Sequence, residues 1–321
     1  MKKIFINNLL IILFFFFIFE ILLRTFDLAD LRGHGKELLE KQTNVETTVF
    51  GKKVFLDQYG YRVPNIKFSY KENAKKIIFI GDSVLFGSGV NEEETFVGKL
   101  RVDNINYSYI NAAIIGNDIS ENLNDIKKNY NLFNSNSFIV ILTLDDINKK
   151  NLITTDNEDN NESKNLIENL KSNFFFHKIN LFLRTKSYTY LWIKGVTTNP
   201  SKRYFFESFN SYQDEEKINF LIKKTEEIKE FATLKSTNIK FIIIPYEYQT
   251  KRKCSSNLLL PQKKIEEFLK NKKIDFINLT NSFCNHDSPK ELYLNFDPVH
   301  LSVKGHDLVF RLIKNEIKWE N

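Results

Sequence analysis

From residue 76 onward, short apolar runs alternate with longer amphipathic segments. The runs that fit strands lie at 77–80, 107–110, 138–142, 239–244 and 274–278. The segments that fit helices lie at 94–102, 119–129, 215–235, 261–271 and 304–317. Alternation of this kind is typical of βα units on a parallel sheet. The sequence therefore predicts an α/β fold, a three-layer α/β/α sandwich around a five-stranded parallel sheet.

An apolar stretch at residues 4–23 has roughly the 20 residues that a helix needs to cross a bilayer. Lys2 and Lys3 precede it, which predicts a cytoplasmic N-terminus and a periplasmic or extracellular domain. A cleaved signal peptide is the alternative, but the residues after the stretch are too bulky for a cleavage site. We expect an uncleaved single-pass anchor, with Glu20 forming an interfacial ion pair with Arg24.

Domain boundaries follow from these patterns. Residues 1–24 form the membrane anchor, 25–72 a juxtamembrane spacer that packs on the domain, and 73–321 the α/β domain. An insertion at about 148–214 separates the third and fourth predicted strands; it begins with a polar loop at 148–165 and continues with an aromatic-rich stretch. Two interpretations of that stretch stay open, a lid or acyl pocket beside the site and a helical pair on the sheet edge.

Charge and cysteine content exclude several classes. The net charge is +6, but the lysines are scattered among asparagines and acids, so a nucleic-acid partner is not expected. The two cysteines, Cys254 and Cys284, lack the spacing of a zinc site. In an oxidising compartment they can pair, and two free thiols are the other possibility. Arg62, in the spacer, can pair with a substrate carboxylate or form a structural ion pair.

Two motifs carry candidate chemistry. Ser83 ends the apolar run at 77–80 with Gly81 and Asp82, where a strand-to-helix turn places backbone amides around its hydroxyl. Near the end of the chain, His300 follows Asp297 by three residues in a proline-containing loop. Serine, histidine and a carboxylate are the side chains of acyl-transfer catalysis. For each motif the structural alternative is a helix cap or turn, and for the histidine a buried or surface ring.

These residues do not form a Gly-x-Ser-x-Gly elbow, because Leu85 stands where the second glycine of that motif belongs. What they resemble is the SGNH, or GDSL-type, hydrolase superfamily. Its first block is similar to Gly81-Asp82-Ser83, its last block to Asp297-Pro298-Val299-His300, and its second block to the segment at 111–117. The resemblance implies a flavodoxin-like sheet and an oxyanion hole made by the amides of Ser83 and Gly116. A plain turn glycine is the alternative for Gly116.

The third block departs from the pattern of the superfamily. Asp145 stands where the superfamily has an asparagine whose amide binds the oxyanion. An ionised carboxylate repels the developing negative charge. Asp145 is therefore protonated, or Asn148 or Asn117 replaces it, or activity is reduced.

The resemblance implies a serine esterase that hydrolyses acyl esters, O-acetyl above all, on a cell-envelope glycan or lipid, without a metal or organic cofactor. In that mechanism Ser83 attacks, His300 moves the proton and Asp297 orients His300. Two rival functions stay open. One is O-acyl transfer to a surface polysaccharide, supplied by a membrane acyl-donor partner. The other is a glycan-binding or scaffold domain with reduced catalysis.

Overall fold

The computed structural model describes residues 2–148 and 174–317. Its strands are β1 (Val45–Val49), β2 (Lys52–Leu56), β3 (Arg62–Val63), β4 (Lys75–Ile80), β5 (Tyr107–Asn111), β6 (Ser137–Leu142), β7 (Asn238–Ile243) and β8 (Asp275–Asn278). Its helices before the gap are α1 (Lys2–Thr25), α2 (Lys36–Leu39), α3 (Ser83–Phe86), α4 (Phe96–Asp103) and α5 (Ile119–Phe133). Those after the gap are α6 (Phe174–Lys186), α7 (Tyr188–Thr198), α8 (Pro200–Ser211), α9 (Glu215–Lys235), α10 (Glu247–Lys251), α11 (Leu260–Asn271), α12 (Thr280–Cys284) and α13 (Val303–Ile313).

The sheet has the order β1-β2-β3-β5-β4-β6-β7-β8, and its last five strands are parallel. Helices α4 and α13 contact each other on one face, while α5 and α9 contact each other on the opposite face. β4 and β6 are buried almost throughout, because both faces of the sheet are covered. The three-layer α/β/α prediction is confirmed. Strand order reverses between β4 and β6, so their carboxyl ends flank the crevice where such sheets bind ligands.

The five predicted parallel strands are present, but the sheet formed by the described residues has eight strands, so the predicted total is too low. β1, β2 and β3 are antiparallel and extend the sheet beyond β5. They are short, and β1 and β2 each bury only two side chains, so their alternation is easily taken for irregular chain. The turn between β1 and β2 is Phe50-Gly51, with positive φ at both residues. Asparagine or aspartate before glycine is the usual sequence for such a turn, and here phenylalanine replaces it.

The insertion helices connect α1 to the domain. The carboxylate of Glu20, in α1, accepts hydrogen bonds from the first two N–H groups of α7, Tyr188 at 3.0 Å and Thr189 at 2.8 Å. Arg24 lies 2.8 Å from Glu20, which confirms the predicted ion pair, and donates to the Lys186 carbonyl. α1 therefore ends directly against α7.

Three further predictions concern the cysteines, the polar loop and the domain boundaries. Cys254 and Cys284 form a disulfide, with 5.8 Å between their Cα atoms, that joins the segment after α10 to the end of α12. Most of the predicted polar loop at 148–165 lies outside the described residues. The boundaries at residues 24 and 72 stay predictions.

Candidate active site

Ser83 is the first residue of α3, directly beyond the end of β4. The Asp82 carboxylate caps α3 by accepting a hydrogen bond from the Val84 N–H at 2.9 Å. α3 has a single turn and ends at Gly87, whose φ is +79°. Because the Ser83 N–H is at the start of the helix, it has no acceptor within the helix. The serine is thus presented at the carboxyl edge of the sheet, beside a backbone N–H that no acceptor takes among the described residues.

Arg62 fixes the chain that follows Ser83. Its fully buried guanidinium donates to the carbonyls of Phe86 at 2.8 Å, Gly87 at 2.6 Å and Val90 at 2.6 Å. Burial lowers the pKa of Arg62 to about 10. Both sequence interpretations of this residue are wrong, because its partners are backbone carbonyls, neither a substrate carboxylate nor an ion pair. A loop with unpaired carbonyls next to β3 needs a buried donor, and Arg62 supplies it.

The three predicted catalytic side chains meet. The Ser83 Oγ is 2.9 Å from the His300 Nε2, and the His300 Nδ1 is 2.9 Å from the Asp297 Oδ2. The other Asp297 oxygen accepts the N–H groups of Val299 at 2.8 Å and His300 at 2.7 Å. Burial alone raises the pKa of Asp297, but Arg32 and His300 together bring it well below its ordinary value of 3.8.

That pKa fixes the proton on the histidine. An ionised Asp297 can only accept hydrogen bonds, so the proton of neutral His300 is on Nδ1. Nε2 then has a free lone pair directed at the Ser83 hydroxyl. This is the arrangement in which an imidazole accepts a proton from a serine.

Sequence reasoning missed two residues that hold this pair in place. Arg32 lies 2.6 Å from the Asp297 Oδ2 and donates to the Asn295 carbonyl at 2.9 Å. Phe50, in the β1–β2 turn, packs edge-on against the His300 ring with 5.0 Å between centroids. The Arg32 guanidinium lies over the Phe50 ring, 4.9 Å from its centroid. The only signal for Phe50 in the sequence is the alternation of residues 45–56, and nothing local marks Arg32.

A cleft extends from Ser83 in two directions. Five residues line both parts: Phe50, Ser83, Asp145, Tyr204 and His300. One part, which we call the polar lobe, is a cavity of about 630 Å³ that is lined by Asn117, Asn148, Ser211 and Lys217, among others. The other, the cationic lobe, is a cavity of about 300 Å³ with Arg184, Lys194 and Arg203 on its wall.

The insertion thus contributes to the cleft. α7 and α8 line it next to Ser83, as the lid or pocket interpretation requires, and α7 also packs on α1. The interpretation as a helical pair on the sheet edge does not describe these contacts.

Gly116 lies at the rim of the polar lobe, in a turn closed by a 3.1 Å hydrogen bond from the Asn117 N–H to the Ile114 carbonyl. Its φ of +82° is one that glycine adopts without strain. Within residues 2–148 and 174–317, no acceptor takes the N–H of Gly116. Asn117 is a poor substitute for the missing oxyanion donor, because its side chain donates to Asp125 at 2.6 Å. Asn148 accepts from Ser211 and Lys217.

Asp145 lines the cleft beside Ser83, and hydroxyl groups hold both of its oxygens. One oxygen accepts from Thr143 at 2.8 Å and from Tyr246 at 2.5 Å, and the other accepts from Tyr204 at 2.8 Å. The carboxylate therefore offers no donor to an oxyanion. Asp82 and Asp146 complete a cluster around the Thr143 hydroxyl, at 3.3 and 3.0 Å. Burial, and then the charge of Asp145, raises the pKa of Asp82 to about 6.

We expect Asp145→Asn to raise the turnover of a small acetyl ester about tenfold, because it replaces a charge that opposes the oxyanion with an N–H donor; a single such donor is worth about 100-fold or more in other enzymes. Steady-state kinetics measure the change. Asp146→Asn is the matched control, since Asp146 neighbours Asp145 in the chain but is not among the cleft-lining residues. An unchanged or lower rate in Asp145→Asn contradicts the placement of Asp145 at the oxyanion.

The same substitution has a pH-dependent effect on stability. Between pH 3.8 and about 6, folded Asp82 keeps a proton that the unfolded chain releases. The free energy of unfolding therefore falls as pH rises through this window. Removing the Asp145 charge lowers the pKa of Asp82, so denaturant titrations of Asp145→Asn show a smaller fall.

His34, His286 and His306 lie outside the proton relay. His306 is fully buried, and its Nδ1 accepts the Phe96 N–H at 3.3 Å. Burial, and then Arg62, lowers the pKa of His306 to about 3, so this ring stays neutral and structural. His34 stacks against Phe50 at the edge of the polar lobe. His286 accepts the Ser288 N–H away from the cleft.

Comparison with known proteins gives matches among solved structures. No protein-family model and no curated protein matches the chain. One match is a member of the lipolytic protein G-D-S-L family from Veillonella parvula, with 13% identity, 75% of this chain and 97% of that chain covered, and a TM-score of 0.43. A lipase/acylhydrolase from Enterococcus faecalis has 14% identity, coverages of 77% and 99%, and a TM-score of 0.39. A catalytic mutant of an acetylxylan esterase from Geobacillus stearothermophilus has 13% identity, coverages of 78% and 98%, and a TM-score of 0.42.

These matches are of the type that the sequence motifs resemble.

Proposed function

We propose that this protein is a serine esterase that cleaves acyl esters, with Ser83 as nucleophile, His300 as general base and Asp297 as the residue that orients His300. The observation that carries the proposal is the continuous relay from the Ser83 hydroxyl through His300 to Asp297, with both links at 2.9 Å. A buried carboxylate of lowered pKa behind the imidazole supports the same conclusion, because it stabilises the imidazolium that forms during attack.

In the acylation step, one proton passes from Ser83 to His300 and then to the leaving alcohol. The Ser83 Oγ attacks the ester carbonyl carbon while His300 Nε2 takes the hydroxyl proton. The N–H groups of Ser83 and Gly116 stabilise the oxyanion of the tetrahedral intermediate. Collapse of that intermediate breaks the bond to the alcohol oxygen, which receives the proton from His300 and leaves. The product is an acyl-serine and a free alcohol.

Deacylation repeats these steps with water. His300 takes a proton from the water molecule that attacks the acyl carbon, and then returns a proton to the Ser83 oxygen as the carboxylic acid departs. The amide, hydroxyl and ammonium groups of the polar lobe are suited to sugar hydroxyls, which supports an O-acylated glycan or glycolipid as substrate.

For location, we propose an uncleaved anchor with the domain on the outer side of the membrane. Ile6–Thr25 is the one helix of the described residues that is long and apolar enough to cross a bilayer. The hydrogen bonds from α7 to Glu20, and the contact of Phe19 with Trp192 at 5.3 Å, support retention of α1, since cleavage removes the carboxylate that accepts the first two N–H groups of α7. The disulfide supports an oxidising compartment.

Acyl transfer to a sugar is a second candidate. Two lobes meet at Ser83, so an acyl donor and an acceptor can occupy opposite sides of the nucleophile. Partition of the acyl group between water and an added sugar, measured by product analysis, distinguishes transfer from hydrolysis.

A fluorophosphonate probe tests the proposal directly, because it reacts with a serine only when a base activates the hydroxyl. We expect the full chain in neutral detergent to be labelled once, at Ser83, as located by peptide mass spectrometry. Ser83→Ala is expected to abolish labelling. Ser88→Ala is the matched control, since it removes a buried hydroxyl from the same loop but not from the cleft. An unlabelled wild type supports a binding or scaffold domain instead.

A further inference from the structure

The cationic lobe collects basic side chains that are dispersed in the sequence. Arg184 comes from α6, Lys194 from α7 and Arg203 from α8, three successive helices of the insertion. In the chain they are about ten residues apart and form no stripe on any one helix. Their presence on the wall of one cavity beside Ser83 is a result of how the three helices pack.

The acids of this lobe are already engaged. Asp297 binds Arg32 and His300, and hydroxyl groups hold Asp145. Asp30 accepts the Asn295 N–H at 2.6 Å. Among residues 2–148 and 174–317, Arg184 has no carboxylate within ion-pair distance, and Arg203 has only exposed Glu207 at 3.9 Å. The lobe is lined by four cations, Arg32, Arg184, Lys194 and Arg203, and by three carboxylates, Asp30, Asp145 and Asp297, so positive charge is in excess next to the nucleophile.

We propose, on the basis of the esterase function above, that the cationic lobe binds a phosphate or carboxylate group of the ester substrate and so selects anionic esters. Guanidinium groups suit such oxyanions because they donate two parallel hydrogen bonds, and the ammonium of Lys194 adds a third charge. Leu191 and Val299 line the same lobe and supply apolar contact for the carbon skeleton beside the anion.

The packing of α1 on α7 favours a lipid-borne group. α7 contacts the membrane helix and also provides Lys194 to the lobe. Exposed apolar side chains lie on the same insertion helices, among them Phe182 (62% exposed) on α6 and Val196 (55%) on α7. The lobe therefore lies where a lipid phosphate at the bilayer surface can reach it, and a soluble acidic glycan is the other source of the same chemistry.

Matched esters test the lobe. 4-Acetoxybenzoate and 4-acetoxyphenyl phosphate are anionic, and 4-acetoxybenzamide is a neutral analogue of similar shape. We expect Arg184→Gln with Arg203→Gln in the full chain to lower kcat/KM for the anionic esters at least tenfold, since charged hydrogen bonds are lost, and to leave the amide within about twofold. Lys186→Gln with Lys202→Gln is the control pair, because both lysines are exposed on α6 and α8 and are not among the residues lining the cleft.

The outcomes are distinct. Equal losses for neutral and anionic esters, or no loss, overturn the anion-binding proposal while the esterase proposal stands. If the wild type hydrolyses none of the three esters, the esterase proposal fails, and calorimetry with 4-hydroxyphenyl phosphate still tests the lobe: binding that the double variant loses supports it, and absence of binding overturns it. Competition by phosphatidylglycerol vesicles supports a lipid source, and competition by soluble polygalacturonate supports an acidic glycan.

Discussion

Ser83→Ala is expected to reduce turnover of a small acetyl ester by about 10⁴-fold or more, the magnitude found when a member of a serine triad is removed in other enzymes. The reason is that no other hydroxyl is within reach of the His300 Nε2 among the hydrogen bonds of the described residues, so the acyl-enzyme cannot form. Steady-state hydrolysis, followed by release of a chromogenic alcohol, measures the effect on kcat.

The expected loss is one of chemistry and not of folding. α3 keeps its cap, because the Asp82 carboxylate and the Val84 N–H are unchanged by the substitution. The thermal unfolding midpoint of Ser83→Ala is therefore expected to stay close to that of the wild type, and Ser88→Ala is expected to keep both turnover and midpoint. Residual activity within tenfold of the wild type means that another group is the nucleophile, and the proposed relay is then wrong.

The local sequence pattern was enough to predict the central sheet and the residues of the Ser83–His300–Asp297 relay. All five predicted strands and the helix at 215–235 are present, because each has the period of its element and caps or turns at its ends. Ser83 and His300 were predictable for a related reason. Ser83 follows β4 at the carboxyl edge of the sheet, and His300 lies in a proline-containing motif before α13, so the local sequence marks each of them.

What the sequence did not predict depends on contacts between distant segments. Arg32 binds Asp297 across 265 positions, and no local pattern around Arg32 distinguishes it from other surface arginines. The position of Phe50 could not be predicted from the sequence, because a positive φ at a bulky residue is unusual. The contacts of the Phe50 ring with His300 and Arg32 hold the ring there. Arg32 and Phe50, both in the predicted spacer, thus contact the proposed relay.

Arg32→Gln is expected to lower kcat by about 10- to 100-fold, since a displacement of about 1 Å at a catalytic group costs on the order of 100-fold. Glutamine keeps a donor for the Asn295 carbonyl but removes the charge beside Asp297. His300 then loses part of the support for its orientation. Arg32→Lys retains the charge and is expected to recover part of the lost turnover, which a merely space-filling role of Arg32 does not predict.

Stability provides a second readout for Arg32. Removing one partner of a buried ion pair costs about 3–5 kcal/mol in other proteins, and we expect about 3 kcal/mol here because His300 still contacts Asp297. The lowered pKa of Asp297 stabilises the fold above its ordinary value of 3.8, and this contribution disappears as pH falls below it. Denaturant titrations should therefore show the full gap between wild type and variant at neutral pH and a smaller one below pH 3.8.

Arg101→Gln separates support of catalysis from support of the fold. Arg101 pairs with Glu92, and both side chains are buried, but neither is among the residues that line the cleft. Its loss is expected to lower the free energy of unfolding by a similar amount while kcat at 25 °C stays within about twofold of the wild type. If Arg101→Gln and Arg32→Gln reduce kcat equally, the effect of Arg32 on turnover is one of general stability, and its role in holding Asp297 and His300 is refuted.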